Sequence, residues 1–236
     1  MRVVQIWRFP VKSLQGEQVD SVEVEPQGLA GDRRLALFDT GTGFGLTARR
    51  HPELLRAGAA TAPDGSVTIT LPDGSVAADD AALSDWLHRP VALRSAAEPG
   101  ARRYENPADF EDETGAWEPF DGATGAFQDS DRANVSFLGE ATIGDWDRRR
   151  FRANVLLSGD GEDDLVGRPV EVGNAAFEVR MRIARCVMVT RPQPGGIDKD
   201  LDVLRRVHRE RDGCLAIGAV VTGTGTIRVG DELRAR

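Results

Sequence analysis

Cysteine, lysine, histidine and long apolar runs are all scarce in this chain of 236 residues, and each scarcity excludes something. Cysteine occurs only at 186 and 214, with no CxxC, no Cys/His cluster at zinc spacing and no ferredoxin-type set. That excludes a zinc ribbon or an iron–sulfur cluster held by the chain itself. A disulfide between Cys186 and Cys214 stays open on sequence alone. Lysine occurs only at 12 and 199, so arginine carries nearly all the positive charge. With abundant Ala and Gly this is the residue usage of a GC-rich bacterial genome, in which a lysine in a tight loop stands out for its compact ammonium. His51, His88 and His208 lie in turn-like or helical polar surroundings and form no Ser/His/Asp set, which removes the triad hydrolases. No apolar run approaches membrane-spanning length and no secretory signal precedes the first strand, so the expectation is a cytoplasmic protein with reduced thiols. A net charge of -8 argues against a general nucleic-acid binder.

With 40% hydrophobic and 29% charged residues, the chain has the composition of a soluble globular protein with enough core for one large domain or two small ones. Val3 to Trp7 reads as a first strand that Pro10 stops, leaving Lys12-Ser13 at its exit. Val19 to Glu25 and Arg33 to Asp39 read as further strands around a turn at Gly28 to Asp32. The glycines of Thr40 to Gly45 form a hairpin loop, since no Gly-Lys-Ser/Thr follows and no βαβ unit surrounds them. Pro52 to Ala60 reads as a helical turn, Val67 to Leu71 as a strand between Pro-Asp-Gly turns, Asp79 onward as a capped helix through Leu87, and Val91 to Arg94 as a strand. From Glu98 to Gly125 the pattern lapses, which predicts a long connection or a lid between two halves. Beyond it come a strand at Val135 to Leu138, a helix over Glu140 to Arg150, and strands at Phe151 to Leu157, Val170 to Val172, Ala176 to Ile183 and Cys186 to Thr190. An amphipathic helix from Leu201 to Arg209 and strands at Leu215 to Val221 and Thr226 to Val229 complete the chain. Many short strands, few helices and no regular βα alternation predict a mainly β (α+β) fold built on β-barrels, not a doubly wound sheet.

The chemistry concentrates in Phe177 to Pro192. There an alternating strand delivers Cys186 between Arg185 and Arg191, and neighbouring cations favour the thiolate, the form that attacks electrophiles and ligates metals. A buried, inert cysteine is the alternative. Arg148, Arg149, Arg150, Arg152, Arg180, Arg182, Arg185 and Arg191 crowd the same part of the chain and suggest a small anionic ligand, although surface pairing with acids also accounts for several of them. The ammonium and hydroxyl of Lys12-Ser13 can together hold a phosphate. Against a thiol-phosphatase loop, four residues, not five, separate Cys186 from Arg191, and a threonine and β-branched residues stand where glycines would be wanted. Cys214, opening an apolar strand, reads as core.

These segments resemble a known family. Phe9-Pro10-Val11-Lys12-Ser13, Gly31-Asp32-Arg33-Arg34 and Thr47-Ala48-Arg49 resemble the β-barrel region that precedes MOSC domains. Phe151-Arg152-Ala153-Asn154-Val155, Ala184-Arg185-Cys186 and Gly225 to Asp231 resemble the MOSC domain itself. The likeness spans nearly the whole chain, with residues 1–118 as the N-terminal region and 119–236 as the MOSC domain, and its layout is similar to that of the mitochondrial amidoxime reducing component and its bacterial counterparts.

The resemblance implies a molybdenum cofactor (molybdopterin), with Cys186 as metal ligand and catalytic residue. It implies Lys12, Ser13 and Arg33 at the pterin phosphate and neighbouring polar groups, Arg152 and Asn154 facing the cofactor, and Thr142 and Arg185 as further contacts. The implied activity is reduction of N-hydroxylated compounds with electrons from a separate donor protein of ferredoxin, flavin or haem type. No pyridoxal phosphate is expected, because the sulfurase domain that uses it is absent, and neither nucleic acid nor membrane is an expected partner. A non-catalytic carrier of the cofactor, or of sulfur as a Cys186 persulfide, is the competing function. Two departures from the family pattern matter. Ala153 replaces a common proline, and Ile183-Ala184 stand where relatives often carry a second cysteine, which removes a dithiol mechanism at that spot.

Overall fold

The computed structural model describes residues 1–109 and 113–235. In chain order the first strands are β1 (Val3–Arg8), β2 (Glu17–Val19), β3 (Ser21–Glu25), β4 (Gly28–Leu29), β5 (Leu35–Asp39), β6 (Gly58–Thr61), β7 (Val67–Thr70) and β8 (Val91–Ser95), with α1 (Asp80–Leu87) before the last of these. Then follow β9 (Arg103–Pro107), β10 (Trp117–Asp121), β11 (Val135–Gly139), α2 (Glu140–Ile143) and β12 (Val155–Leu157). The chain ends through β13 (Pro169–Val172), β14 (Ala175–Ala184), α3 (Asp202–Arg211), β15 (Cys214–Gly223), β16 (Gly225–Arg228) and β17 (Leu233–Ala235). The protein is therefore mainly β with few helices, as its short alternating apolar runs predict. No helix among the described residues is long and apolar enough to cross a membrane.

Packing groups the chain into two units, each drawn from more than one segment. Unit 1 comprises Met1–Arg8, Gly16–Asp32 and Asp131–Arg236; unit 2 comprises Phe9–Gln15 and Arg33–Ser130.

Unit 1 is built on an eight-stranded sheet in the order β17-β13-β14-β15-β11-β12-β1-β2. Successive residues of its central strands enter different clusters. Phe137, Val155 and Ile217 join one with Val3, Ile6 and Phe177, while Leu138 and Leu156 join another with Phe151, Val203 and Val207. Alternating side chains thus bury both faces, which is why β12 reads as an unbroken apolar triplet. Val203 and Val207, one turn apart on α3, place that helix over the second cluster. Leu215 and Ala216, though consecutive, both enter it, because β15 bulges there: Arg182 pairs with Ile217 but Ala184 pairs with Cys214.

Among its described residues unit 2 contains α1 and three two-stranded ladders, β5-β8, β6-β7 and β9-β10. Its aromatic cluster contains Phe38, Tyr104 and Phe127, with Phe120 packed against it.

Several expected elements differ from those observed. The stretch from Glu98 to Gly125 contains the β9–β10 hairpin, whose strands lack apolar alternation; residues 110–112 of that stretch lie outside the described ones. The helix expected over Glu140 to Arg150 stops at Ile143, because Gly144 takes φ 62 and a separate 3-10 turn follows at Arg148–Arg150. Phe151 to Asn154 form an irregular entry to β12, with Arg152 in the left-handed region at φ 51. Val187–Thr190, expected as strand, is a 3-10 turn in which Cys186 holds the N-cap position. Residues 17–25 form two strands, and Gly58–Thr61, expected within a helical turn, is strand β6.

Candidate functional site

In unit 1 the site is built around the end of β14. Ala184 still pairs with Cys214, Arg185 donates its amide to the Gly213 carbonyl at 2.8 Å, and Cys186 remains extended at φ -112 and ψ 179 before the chain curls. Both cysteines are of intermediate exposure, and no disulfide links them. Arg185 turns back on its own scaffold. Its Nε donates to the Leu215 carbonyl at 2.6 Å and its Nη1 to that of Phe151 at 2.9 Å. The β15 bulge makes the first bond possible: Ala216, fully buried at φ 80, rotates the adjoining peptide out of the ladder.

The loop after Cys186 is braced from below by the arginines of the 3-10 turn at 148–150. Arg150, 8% exposed, donates to the carbonyls of Val189 at 3.1 Å, Arg191 at 3.4 Å and Asp198 at 2.7 Å. Arg149 grips the Asp147 carboxylate and donates to the Pro194 carbonyl at 2.9 Å. The hydrogen bonds from Arg149 hold the Asp147 carboxyl below its ordinary pKa. Arg148 stacks 3.5 Å from the centroid of the Trp7 ring, and burial lowers its pKa.

Asn154, 2% exposed, ties three strands together. Its Oδ1 accepts from the Ser136 amide at 3.2 Å and hydroxyl at 3.0 Å, and its Nδ2 donates to the Trp7 carbonyl at 3.2 Å. Thr142 lies elsewhere, on α2, and donates its hydroxyl at 2.9 Å to the fully buried Glu162. Of the expected unit 1 residues, the structure therefore brings Arg185 and Cys186 together at the end of β14. Arg152 and Asn154 flank the entry to β12, next to the Phe151 that Arg185 binds. Thr142 forms a separate pair.

In unit 2 the segment after Pro10 runs beside β5. The Lys12 amide donates to the Leu35 carbonyl at 2.8 Å and the Arg33 amide to the Phe9 carbonyl at 2.7 Å. Lys12 is buried. Its ammonium donates to the Phe127 carbonyl at 3.2 Å, pairs with Asp129, and sits 5.3 Å from the centroid of the Tyr104 ring. Ser13, at φ 72, accepts the Ala48 amide on its hydroxyl at 3.0 Å, which explains why the Thr47-Ala48-Arg49 segment accompanies Lys12-Ser13. Arg33, at φ 50, lies 5.1 Å from the centroid of the Phe9 ring and accepts the Phe127 amide at 2.7 Å on its carbonyl.

Sequence reasoning named Arg150 only as one of a cluster of arginines and missed Asp129 and Tyr104. Arg150 is one of three consecutive arginines and nothing local marks the one that turns inward. Asp129 touches Lys12 across more than a hundred residues. The signal available for Tyr104 is that it is the chain's single tyrosine.

Among the described residues no three His, Cys, Asp or Glu side chains converge as a metal-binding group. Cys186 offers a sulfur donor, which suits a soft metal that brings other ligands with it.

Two β-rich units, one carrying a cysteine at the end of a bulged ladder and the other a buried lysine-serine pair, define the class. The family model of the MOSC N-terminal beta barrel domain matches residues 1–113 and that of the MOSC domain matches residues 128–234. The chain belongs to the MOSC family.

No curated protein matches. Among solved structures, the YuaD protein from Bacillus subtilis is 12% identical, with a TM-score of 0.45 over 98% of this chain and 93% of that one. A hypothetical protein is 11% identical, with a TM-score of 0.45 over 100% of this chain and 67% of that one. YiiM from Geobacillus stearothermophilus is 15% identical, with a TM-score of 0.37 over 58% of this chain and 73% of that one. Likenesses this distant say nothing about function.

Proposed function

We propose that this protein binds a molybdenum cofactor through Cys186 and uses it to reduce N-hydroxylated compounds in the cytoplasm, with electrons supplied by a separate donor protein. The observation that carries the reading is where the backbone is strained. Among the described residues six non-glycine residues have positive φ, and two of them, His88 and Asp212, are left-handed caps at the ends of α1 and α3. The other four are Ser13, Arg33, Arg152 and Ala216. Three of these are residues that family resemblance assigns to the cofactor, and the fourth forms the bulge that presents Leu215 to Arg185. A left-handed non-glycine residue costs about 1–2 kcal/mol, and such strain persists where a site needs a backbone direction that relaxed geometry does not give.

When bound, the cofactor supplies the two-electron redox chemistry. The chain's own residues do the holding. Cys186 offers a thiolate on a turn braced by Arg150, and Lys12 offers a desolvated ammonium suited to a phosphate oxygen. Arg33 and Arg152 add positive charge, and Ser13 keeps its hydroxyl on the Ala48 amide, so its contribution is to shape the loop. Asn154 is committed to Ser136 and Trp7 and acts by fixing the segment that carries Arg152.

The test is molybdenum and pterin content of the wild type beside Cys186→Ser, both made in a host that synthesises the cofactor. Metal in the wild type that is lost in the variant supports the reading, and oxidation of a reduced donor on addition of an N-hydroxy substrate then extends it to catalysis. No metal and no pterin in either protein sinks it and shifts the weight to a Cys186 persulfide carrier.

A further inference from the structure

Among the described residues, Tyr104 is the largest of the fully buried side chains, and its hydroxyl has no hydrogen-bond partner there. Its ring lies among phenylalanines, with Phe38 at 5.8 Å and Phe120 at 5.9 Å between centroids, where phenylalanine would pack equally well and shed an unsatisfied polar atom. The ring is also clamped. A Cβ at Gly45 would overlap one edge, and a Cβ at Gly122 would stand 2.6 Å from Cε2 on the other. A rigidly held, buried hydroxyl without a partner destabilises the resting protein and asks for an acceptor that arrives later.

The neighbouring groups say what kind. Lys12 places its ammonium 5.3 Å from the ring centroid, and the anionic partner it holds, Asp129, has a side chain 90% exposed. That carboxylate approaches the buried ammonium from the solvent side, the direction from which another anion would arrive. Burial and the Asp129 carboxylate both raise the phenol's pKa, with Arg102 opposing, so the hydroxyl stays protonated and keeps a proton to donate.

We propose that Tyr104 is a binding residue whose hydroxyl donates to an oxygen of a phosphate-class anion held by Lys12. The proposal rests on the reading of Lys12 as a phosphate-holding residue. It predicts opposite signs for one substitution: Tyr104→Phe raises the urea midpoint of phosphate-free protein, yet weakens inorganic phosphate about ten-fold in a phosphorus NMR titration. Lys12→Met abolishes phosphate binding. Pterin content after production in a cofactor-making host separates the sources. A fall in Tyr104→Phe assigns the anion to the cofactor's phosphate monoester, and unchanged pterin with weakened phosphate assigns it to free phosphate. Unchanged phosphate affinity in Tyr104→Phe, with binding lost in Lys12→Met, overturns the role of Tyr104 alone. Wild-type protein without phosphate affinity overturns the reading of Lys12 and this proposal with it.

Discussion

Arg150 carries its charge into unit 1 on carbonyl oxygens, three of them, all from the segment that follows Cys186. A guanidinium suits this better than an ammonium because its planar fork reaches several acceptors at fixed angles. Arg150→Met would leave those carbonyls without donors at about 1–3 kcal/mol each, so a loss of about 3–5 kcal/mol is expected, near the upper end for a single substitution. Arg150→Lys keeps the charge but not the fork and recovers only part. Urea unfolding of the three proteins measures this, and a loss below about 1 kcal/mol in Arg150→Met would show that the loop is held by other means. The residue scale is also where sequence told least. Cys186 and its flanking arginines were visible because their chemistry is local. Arg150 was hidden among Arg148 and Arg149, which differ from it only in the direction the backbone gives them. Asn154 was visible as a residue, but its bonds to Ser136 and Trp7 depend on strands far away in sequence.

At the scale of elements, regular pieces were legible where one face is apolar and the ends are marked. Asp79 caps α1 through the Ala82 amide, and α3 shows its buried valines one turn apart. The exceptions were elements whose conformation is imposed by partners, such as β9–β10 and the turn after Cys186.

The loop that follows β5 shows how a local element gains stability that depends on pH. Asp39, 8% exposed, accepts the amides of Gly41 at 2.9 Å and Thr42 at 2.8 Å on Oδ1, with Arg89 at 3.8 Å from Oδ2. Burial pushes its carboxyl up, but the bonds from Thr42 and Gly41 and the charge of Arg89 outweigh it, so the net shift is downward. A carboxyl whose pKa is lower folded than unfolded contributes stability above its unfolded pKa, and loses it as pH falls through the folded value. Asp39→Ala should therefore melt below wild type by the same margin from pH 7 to 5, and the gap should close as pH drops below about 4. A gap that persists at the acid end would mean that packing, not the charged acceptor, holds the loop.

On the scale of the whole molecule, family boundaries and packing boundaries disagree, and the disagreement predicts how the chain can be cut. The MOSC match begins at residue 128, yet unit 1 takes Met1–Arg8 and Gly16–Asp32 from the other end of the chain. β1 is an interior strand of the eight-stranded sheet, hydrogen-bonded to β12 on one side and β2 on the other. β3 pairs with β16, and Val3, Ile6, Val22, Val24 and Leu29 all lie inside the main core cluster. Each of these five side chains is worth about 1.5–3 kcal/mol on burial, so their sum is about 10 kcal/mol, comparable with the whole stability of a typical domain. A fragment of residues 119–236 alone should consequently fail to fold, showing no cooperative thermal transition and poor amide dispersion in NMR spectra. Linking residues 1–32 back onto that fragment should restore a sigmoidal melt, because it returns the missing strands to the sheet. A cooperative transition from 119–236 on its own would mean that β11 to β17 bury enough apolar surface without β1 and β3, and that the N-terminal strands dock onto a core already formed.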